Sequence, residues 1–349
     1  MIELLSPVNG EEFSITTEIY KEFKKREYAG EHRGTPEEAY KNMGEYYDLK
    51  SDASFPASVR LVWKNTCPNA ENHVTLRLAS GKSMPAAVGY IKSTMYSAAD
   101  DVYYADVTNL LSGEEYLWSI DGVDGGSFRT VRGEMRNMLL PVMTNVRDMG
   151  GRLNIEGKML RQGMIYRGTA PDDLGDPDIK GSREMRKTVQ EQLGIKCDID
   201  LRAESVGKCT SSPLGDDVRY ELIPFDAYGG TLNDGGRAKL RRILELIADE
   251  SNYPIYYHCA AGADRTGTIG AYLDAILGMS DDEIKLNYNV TTLAVNDVRC
   301  WYDGDCGAFH DYLEETYPDL TIGKRIMANL RLSGIAEETI EVIRKLLID

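Results

Sequence analysis

The stretch HCAAGADRTG, residues 258–267, sets a His and a Cys before a run of small residues, and an Asp-Arg-Thr-Gly sequence after it. YPIYYHC leading into it reads as a buried strand, and TGTIGAYLDAILG leaving it reads as a helix. Gly262 between them is free to take unusual backbone angles, and a helix is expected to start around Arg265 to Thr266. A strand, a turn of small residues and a helix in succession form an anion cradle, because consecutive N–H groups turn inward as a nest and the helix N-terminus adds partial positive charge. The same field acts on Cys259. A thiol with an ordinary pKa of about 8.5 falls to roughly 3.5–7.5 at a helix N-terminus beside a cation. Arg265 supplies that cation, and its planar fork grips two phosphate oxygens at once. Ala260, Ala261, Gly262, Ala263 and Asp264 are the expected backbone of the cradle. His258 is in place to hold the cysteine through its ring or backbone, and Thr266 to donate its hydroxyl to sulfur. The plain alternative is a small buried cysteine beside an ordinary loop. Against it, none of Cys67, Cys197, Cys209, Cys300 and Cys306 has an Arg six residues on.

Working outward, CDIDLR reads as a second buried strand, and RAKLRRILELIADE carries Leu240, Ile243, Leu244 and Ile247 at helical spacing. EETIEVIRKLLID reads as the last helix. Residues 136–349 are therefore expected to be an α/β domain, a mostly parallel sheet flanked by helices. Residues 51–135 have a different texture. SVRLVW, VTLRL, DVYYADV and EYLWSI are short, rich in β-branched and aromatic residues, and separated by Asn, Gly, Ser and Pro, as in an all-β sandwich. Tyr116, Trp118 and Ile120 alternate, with one face inward. Residues 1–50 are expected to be a helical or irregular segment, with EIYKEFKKRE and PEEAYKNMGEYY as short helices packed on a neighbour.

HC-x5-R-T-G resembles the signature loop of the cysteine-dependent protein tyrosine phosphatases, and the flanking stretches resemble the bacterial and fungal subgroup that acts on phosphotyrosine and sometimes on phosphoinositides. NVRDMGG at 145–151 is similar to that subgroup's opening motif, IYRGTAPDDL at 165–174 to its Tyr-Arg-Ser turn, IDLRAESV at 199–206 to its Asp-Leu-Arg strand end, and DYLEETYP at 311–318 to its late helix. The resemblance covers roughly residues 140–349. It implies an α/β phosphatase domain with Cys259 as nucleophile, Ala260 to Asp264 as the backbone cradle and Arg265 as the phosphate clamp, working without a cofactor or metal. The subgroup usually has Lys between the Gly and Asp of the loop, where this chain has Ala263. The lost positive charge should weaken binding of multiply phosphorylated inositol head groups more than of a single phosphotyrosine. Leu110 to Tyr116, LLSGEEY, resembles the Leu-x-Pro-Gly-x-x-Tyr corner of fibronectin type III domains, with Ser112 in place of Pro.

A leaving tyrosinate needs a proton, and a carboxylic acid within reach is the usual donor. Asp264, inside the loop, is the residue this subgroup is thought to use. Asp226, in IPFDAYGG, lies 33 residues before Cys259, a distance at which many tyrosine phosphatases carry the acid on a mobile loop. Asp264 is preferred; a turn-capping role is the alternative for Asp226. Asp200 and Arg202 are expected to anchor the loop or orient Arg265, and Arg147 and Asp148 to form structural pairs.

DGDCGAFHDYLE at 303–314 fits a calcium loop at its acidic positions, but Ala308 stands where the sharp turn needs Gly, so it reads as a loop running into a helix. Cys300, Cys306 and His310 do not match a zinc spacing.

The formal net charge of -16 and pI near 4.8 argue against nucleic-acid and anionic-membrane partners. No apolar stretch approaches a membrane span. Scattered cysteines and an opening that lacks the basic and apolar regions of a signal peptide read as cytoplasmic, with secretion the alternative if a leader has been removed. The expected partner is a phosphotyrosine protein or a small phosphomonoester, with protein docking by the sandwich. Three readings compete with a tyrosine phosphatase: a phosphoinositide or inositol-polyphosphate phosphatase with the same loop, a phosphate-binding module without turnover, and sulfur transfer.

Overall fold

The alternation seen in the N-terminal third produces two facing sheets. The computed structural model describes residues 1–46, 56–67, 72–87, 89–203, 210–295 and 297–349; Cys209 and the end of IDLRAESV, 204–206, lie outside them. One sheet contains β1 (Ile2–Ser6), β3 (Val59–Asn65), β5 (Tyr90–Ser97) and β6 (Val102–Thr108), in the order β1-β3-β6-β5. The other contains β2 (Glu11–Phe13), β4 (Val74–Leu78), β7 (Glu115–Ile120) and β8 (Val123–Thr130), in the order β2-β8-β7-β4. Leu61 and Trp63 from the first sheet meet Tyr116, Trp118 and Phe128 from the second in one core, with the Trp63 and Trp118 ring centres 6.4 Å apart. The strand order is that of constant-type immunoglobulin sandwiches with a short strand added. At the turn before β7 the Tyr116 hydroxyl accepts from the Leu111 N–H at 2.8 Å, which closes a tyrosine corner.

The expectation of a helical or irregular segment over residues 1–50 needs correcting. β1 pairs antiparallel with β3, and β2 pairs parallel with β8, so each sheet gains a strand from this segment. Ile2 and Leu4 pack on the sandwich core, a contribution too short and too interrupted to read as a strand pattern. The two expected helices, α1 (Glu18–Tyr28) and α2 (Pro36–Gly44), are present but belong to the other half of the molecule. Tyr20, Phe23, Ala39 and Met43 share a core with Leu286, Val290, Leu293 and Val298.

The C-terminal part is built on a sheet with the order β13-β12-β14-β11-β10-β9, where β9 is Arg136–Asn137, β10 Arg147–Asp148, β11 Ile165–Gly168, β12 Cys197–Asp200, β13 Arg219–Leu222 and β14 Ile255–His258. β13, β12, β14 and β11 run parallel, while β10 and β9 add an antiparallel edge. Side chains alternate across the sheet. Tyr256 packs with Val189 and Leu193 of α3 (Ser182–Leu193) on one face. Ile255 and Tyr257 pack on the other with α4 (Asp234–Ile247) and α5 (Asp264–Ile276). α6 (Asp281–Asn289), α7 (Gly304–Thr316), α8 (Ile322–Arg331) and α9 (Glu337–Leu347) complete the helical layer. The stretch that resembles a calcium loop is Asp303 followed by α7.

A buried clasp joins the two halves. Arg136 donates to the Leu110 carbonyl at 2.9 Å and the Asn109 carbonyl at 3.0 Å while pairing with Asp148. Asn109 in turn accepts from the Leu139 N–H at 2.7 Å and donates to its carbonyl at 3.0 Å. No helix among the described residues is long and apolar enough to cross a membrane.

Candidate active site

The loop between β14 and α5 takes its shape from groups behind it. Ala260 O accepts from the Ala170 N–H at 3.0 Å. Ala261 O and Gly262 O both accept from Asn145 Nδ2 at 3.0 Å, and Gly262 O also accepts from Arg167 Nη2 at 2.9 Å. In a trans peptide the N–H points opposite to the preceding carbonyl. Carbonyls tied outward at 260, 261 and 262 therefore turn the N–H groups of Ala261, Gly262 and Ala263 into the concave side, the arrangement of an anion nest. Gly262 has φ +67°, and a Cβ there would lie 2.4 Å from the Gly168 carbonyl carbon and oxygen, so no other residue fits.

Cys259 sits at the floor, 2% exposed. Burial pushes its thiol up. The Thr266 hydroxyl and N–H, the Arg265 charge and the Ala263 N–H outweigh that and hold it below the ordinary thiol value. Arg265 is half-buried and lines the cavity beside the loop; among the described residues no carboxylate closes on its guanidinium.

His258 is fully buried, with Nε2 3.1 Å from Asp198 and Nδ1 3.2 Å from the Cys259 carbonyl oxygen. Burial alone would lower its pKa, but Asp198 and, more weakly, Asp200 raise it above the ordinary imidazole value. The ring thus reaches the cysteine through its backbone. Arg202 is held by Asp200 at 2.7 Å and by Asp172 at 2.5 Å, a network beside His258.

Arg147 and Asp148 have structural roles, but not with each other, because neighbours on a strand face opposite sides. Arg147 donates to Asn145 Oδ1 at 2.5 Å and the Asn287 carbonyl at 3.0 Å, which fixes the amide that holds the loop. Asp148 accepts from the Gly150 and Gly163 N–H groups and pairs with Arg136.

Asp264 and Arg265, where the loop runs into α5, line a cavity of about 940 Å³ that the other expected acid, Asp226, also lines; Cys259 and Ala260 to Ala263 are not among its lining residues. Asp264 accepts from the Tyr228 hydroxyl at 2.7 Å and pairs with Arg299 Nε at 2.9 Å. Asp226 is exposed at the rim. Aromatic walls come from Tyr40, Phe225, Tyr228, Tyr288, Phe309 and Tyr312. Asn145, Arg167, Tyr228, Arg299 and Tyr40 had no distinguishing signal of their own in the sequence; the first two lie within stretches whose resemblance was noted without roles for them. Among the described residues no group of three or more His, Cys, Asp or Glu side chains is gathered as a metal site.

Residues 138–307 match a sequence profile described as "Tyrosine phosphatase family". A Cupriavidus necator protein named provisionally as a tyrosine-protein phosphatase is 24% identical over 177 residues, 44% of this chain and 62% of that protein. A tyrosine-protein phosphatase of Nostoc commune is 25% identical over 120 residues, 28% of this chain and 41% of that protein. The chain thus spans less than two thirds of the length of either relative. Among solved structures, the core catalytic domain of the PP-IP phosphatase SIW14 from S. cerevisiae, in complex with citrate, aligns at 17% identity and a TM-score of 0.32, over 46% of this chain and 88% of that one. By sequence, residues 138–307 of this chain match the tyrosine phosphatase family.

Proposed function

We propose that the chain is a protein tyrosine phosphatase that hydrolyses phosphomonoesters through a cysteinyl-phosphate. The observation that carries the reading is Cys259, held below its ordinary thiol value at the floor of a loop whose carbonyls at 260, 261 and 262 are tied outward. The Cys259 thiolate attacks phosphorus as the bond from phosphorus to the tyrosyl oxygen breaks, and a carboxylic acid gives its proton to that oxygen. Water then attacks the cysteinyl-phosphate, the same carboxylate takes a proton from it, and phosphate leaves with the thiolate restored. Inward N–H groups and Arg265 hold the three non-bridging oxygens through both steps.

Asp264 is the proposed acid. It stands beside the loop, and Tyr228 and Arg299 fix its orientation. Phosphotyrosine is favoured over multiply phosphorylated inositol by the cavity lining, where, among the described residues, Asp226, Asp264, Asp297, Asp303 and Asp305 face Lys239, Arg265 and Arg299 alone. Such a wall repels further phosphates, and Ala263 adds no charge against it. The tyrosine corner at Tyr116 supports a sandwich of the immunoglobulin-like class, whose proposed roles are to scaffold the α/β part through Arg136 and to dock a protein partner.

Steady-state hydrolysis of a phosphotyrosine peptide by the full chain, with Cys259→Ser as the control, tests the reading. Turnover lost in the variant is expected; peptide binding without turnover in the wild-type chain would make the loop a binding module.

A further inference from the structure

Every residue lining the cavity lies between positions 203 and 312 except Tyr40, among the described residues. Tyr40 comes from α2, well outside the segment that matches the phosphatase family. Its platform is rigid. Thr35 and Glu38 close a reciprocal capping box with Pro36 in the first turn, and Ala39 and Met43 are fully buried against Leu286, Val290 and Leu293. α1, which precedes it, is fastened to α6 by Lys24–Glu283 at 2.9 Å, and the connection after it by Arg33–Asp282 at 2.5 Å. On this base the Tyr40 ring stays 41% exposed, presented to the cavity. Its hydroxyl reaches Asp297 Oδ1 at 3.4 Å, Asp297 accepts from Arg299 at 2.7 Å, and Arg299 pairs with Asp264 at 2.9 Å. The ring is therefore indexed to the loop by a continuous polar chain.

We propose that Tyr40 is a specificity-determining residue, an aromatic wall supplied by the N-terminal helices against which the peptide around a phosphotyrosine packs. This rests on the phosphatase reading above. A half-exposed tyrosine ring offers a large apolar face at small entropy cost, and an aromatic or apolar side chain stacked on it takes that face out of water. Five further aromatic residues line the same space, so a bulky peptide ester uses this wall more than a small aryl phosphate does.

The test compares a phosphotyrosine peptide with p-nitrophenyl phosphate on the full chain, for wild type, Tyr40→Ala and Tyr40→Phe. Tyr40→Ala is expected to raise KM for the peptide about tenfold, with a smaller rise for p-nitrophenyl phosphate; Tyr40→Phe keeps the ring but loses the hydroxyl's bond to Asp297, and its peptide KM is expected to lie between wild type and Tyr40→Ala. An unchanged peptide KM in Tyr40→Ala, with the wild type active, overturns the proposal while the phosphatase reading stands. If the wild type turns over neither ester, the phosphatase reading fails. Peptide Kd on Cys259→Ser with and without Tyr40→Ala then decides: about tenfold weaker binding upholds the wall, and equal binding overturns it.

Discussion

Arg167 donates from Nη2 to the carbonyl oxygen of Gly262 at 2.9 Å, and the backbone of the next residue, Gly168, fills the place a Cβ on the same glycine would take. One strand end therefore both ties the loop and leaves no room for a side chain in it. Replacing Gly262 by Ala forces a positive φ on a residue with a Cβ and drives that Cβ into the Gly168 peptide. Gly262→Ala is expected to cost about 2 to 3 kcal/mol in urea unfolding and to remove most turnover, because the N–H groups no longer converge. Full activity in that variant would mean the loop has another working conformation.

Thr266 is one of the groups that favour the thiolate of Cys259 against its burial. Thr266→Val removes the hydroxyl, so the thiol titrates at higher pH and less thiolate is present on the acid side. The acid limb of kcat/KM should move to higher pH, and iodoacetamide should alkylate Cys259 more slowly at pH 6. Unaltered alkylation would assign the thiolate to Arg265 and the backbone alone.

Asp198 and His258 form a buried pair at 3.1 Å that raises the imidazole above its ordinary value. A raised histidine contributes stability that is fully present below the unfolded value, about 6.5, and is lost as pH rises through the folded value. Asp198→Asn should therefore destabilise more at pH 6 than at pH 9, by about 3 kcal/mol where the pair is intact. The hydrogen bond from Ser212 to Asp198 at 2.7 Å leaves a smaller pH-independent part. Equal losses at both pH values, in chemical denaturation, would show that the histidine is neutral throughout.

The two candidate acids, Asp264 and Asp226, separate by their pH profiles. Asp264→Asn should lower kcat on a phosphotyrosine peptide by about 10² to 10³ and abolish the basic limb that an essential acid produces. Asp226→Asn should keep that limb. If the limb disappears in Asp226→Asn instead, the acid stands on the rim segment and Asp264 orients Arg299.

Much of the C-terminal part was legible because its signals are local. The strand into His258, the small loop and the helix from Asp264 each carry their pattern in consecutive residues, and Leu240, Ile243, Leu244 and Ile247 mark α4 by spacing alone. Tyr116, Trp118 and Ile120 likewise point inward as their alternation requires. β1 and β2 were not legible, since three to five residues of mixed polarity become strands only through partners more than 50 residues away. The groups that shape the site share that difficulty. Asn145 and Arg167 act on carbonyls about a hundred residues on, and Tyr40 reaches the cavity through packing of α2 on a distant helix. Long-range hydrogen bonds leave no periodic trace, so only folding reveals them.

The proposed function turns on a phosphoryl group carried on Cys259. Rapid acid quenching of the full chain during turnover of a phosphotyrosine peptide, with EDTA present, followed by peptide mass spectrometry, measures it directly. A phosphoryl group is expected on the peptide containing Cys259, with none in Cys259→Ser and no effect of EDTA on the rate. Hydrolysis that persists in Cys259→Ser, or turnover with no phosphoryl group trapped on that cysteine at any time, would contradict it.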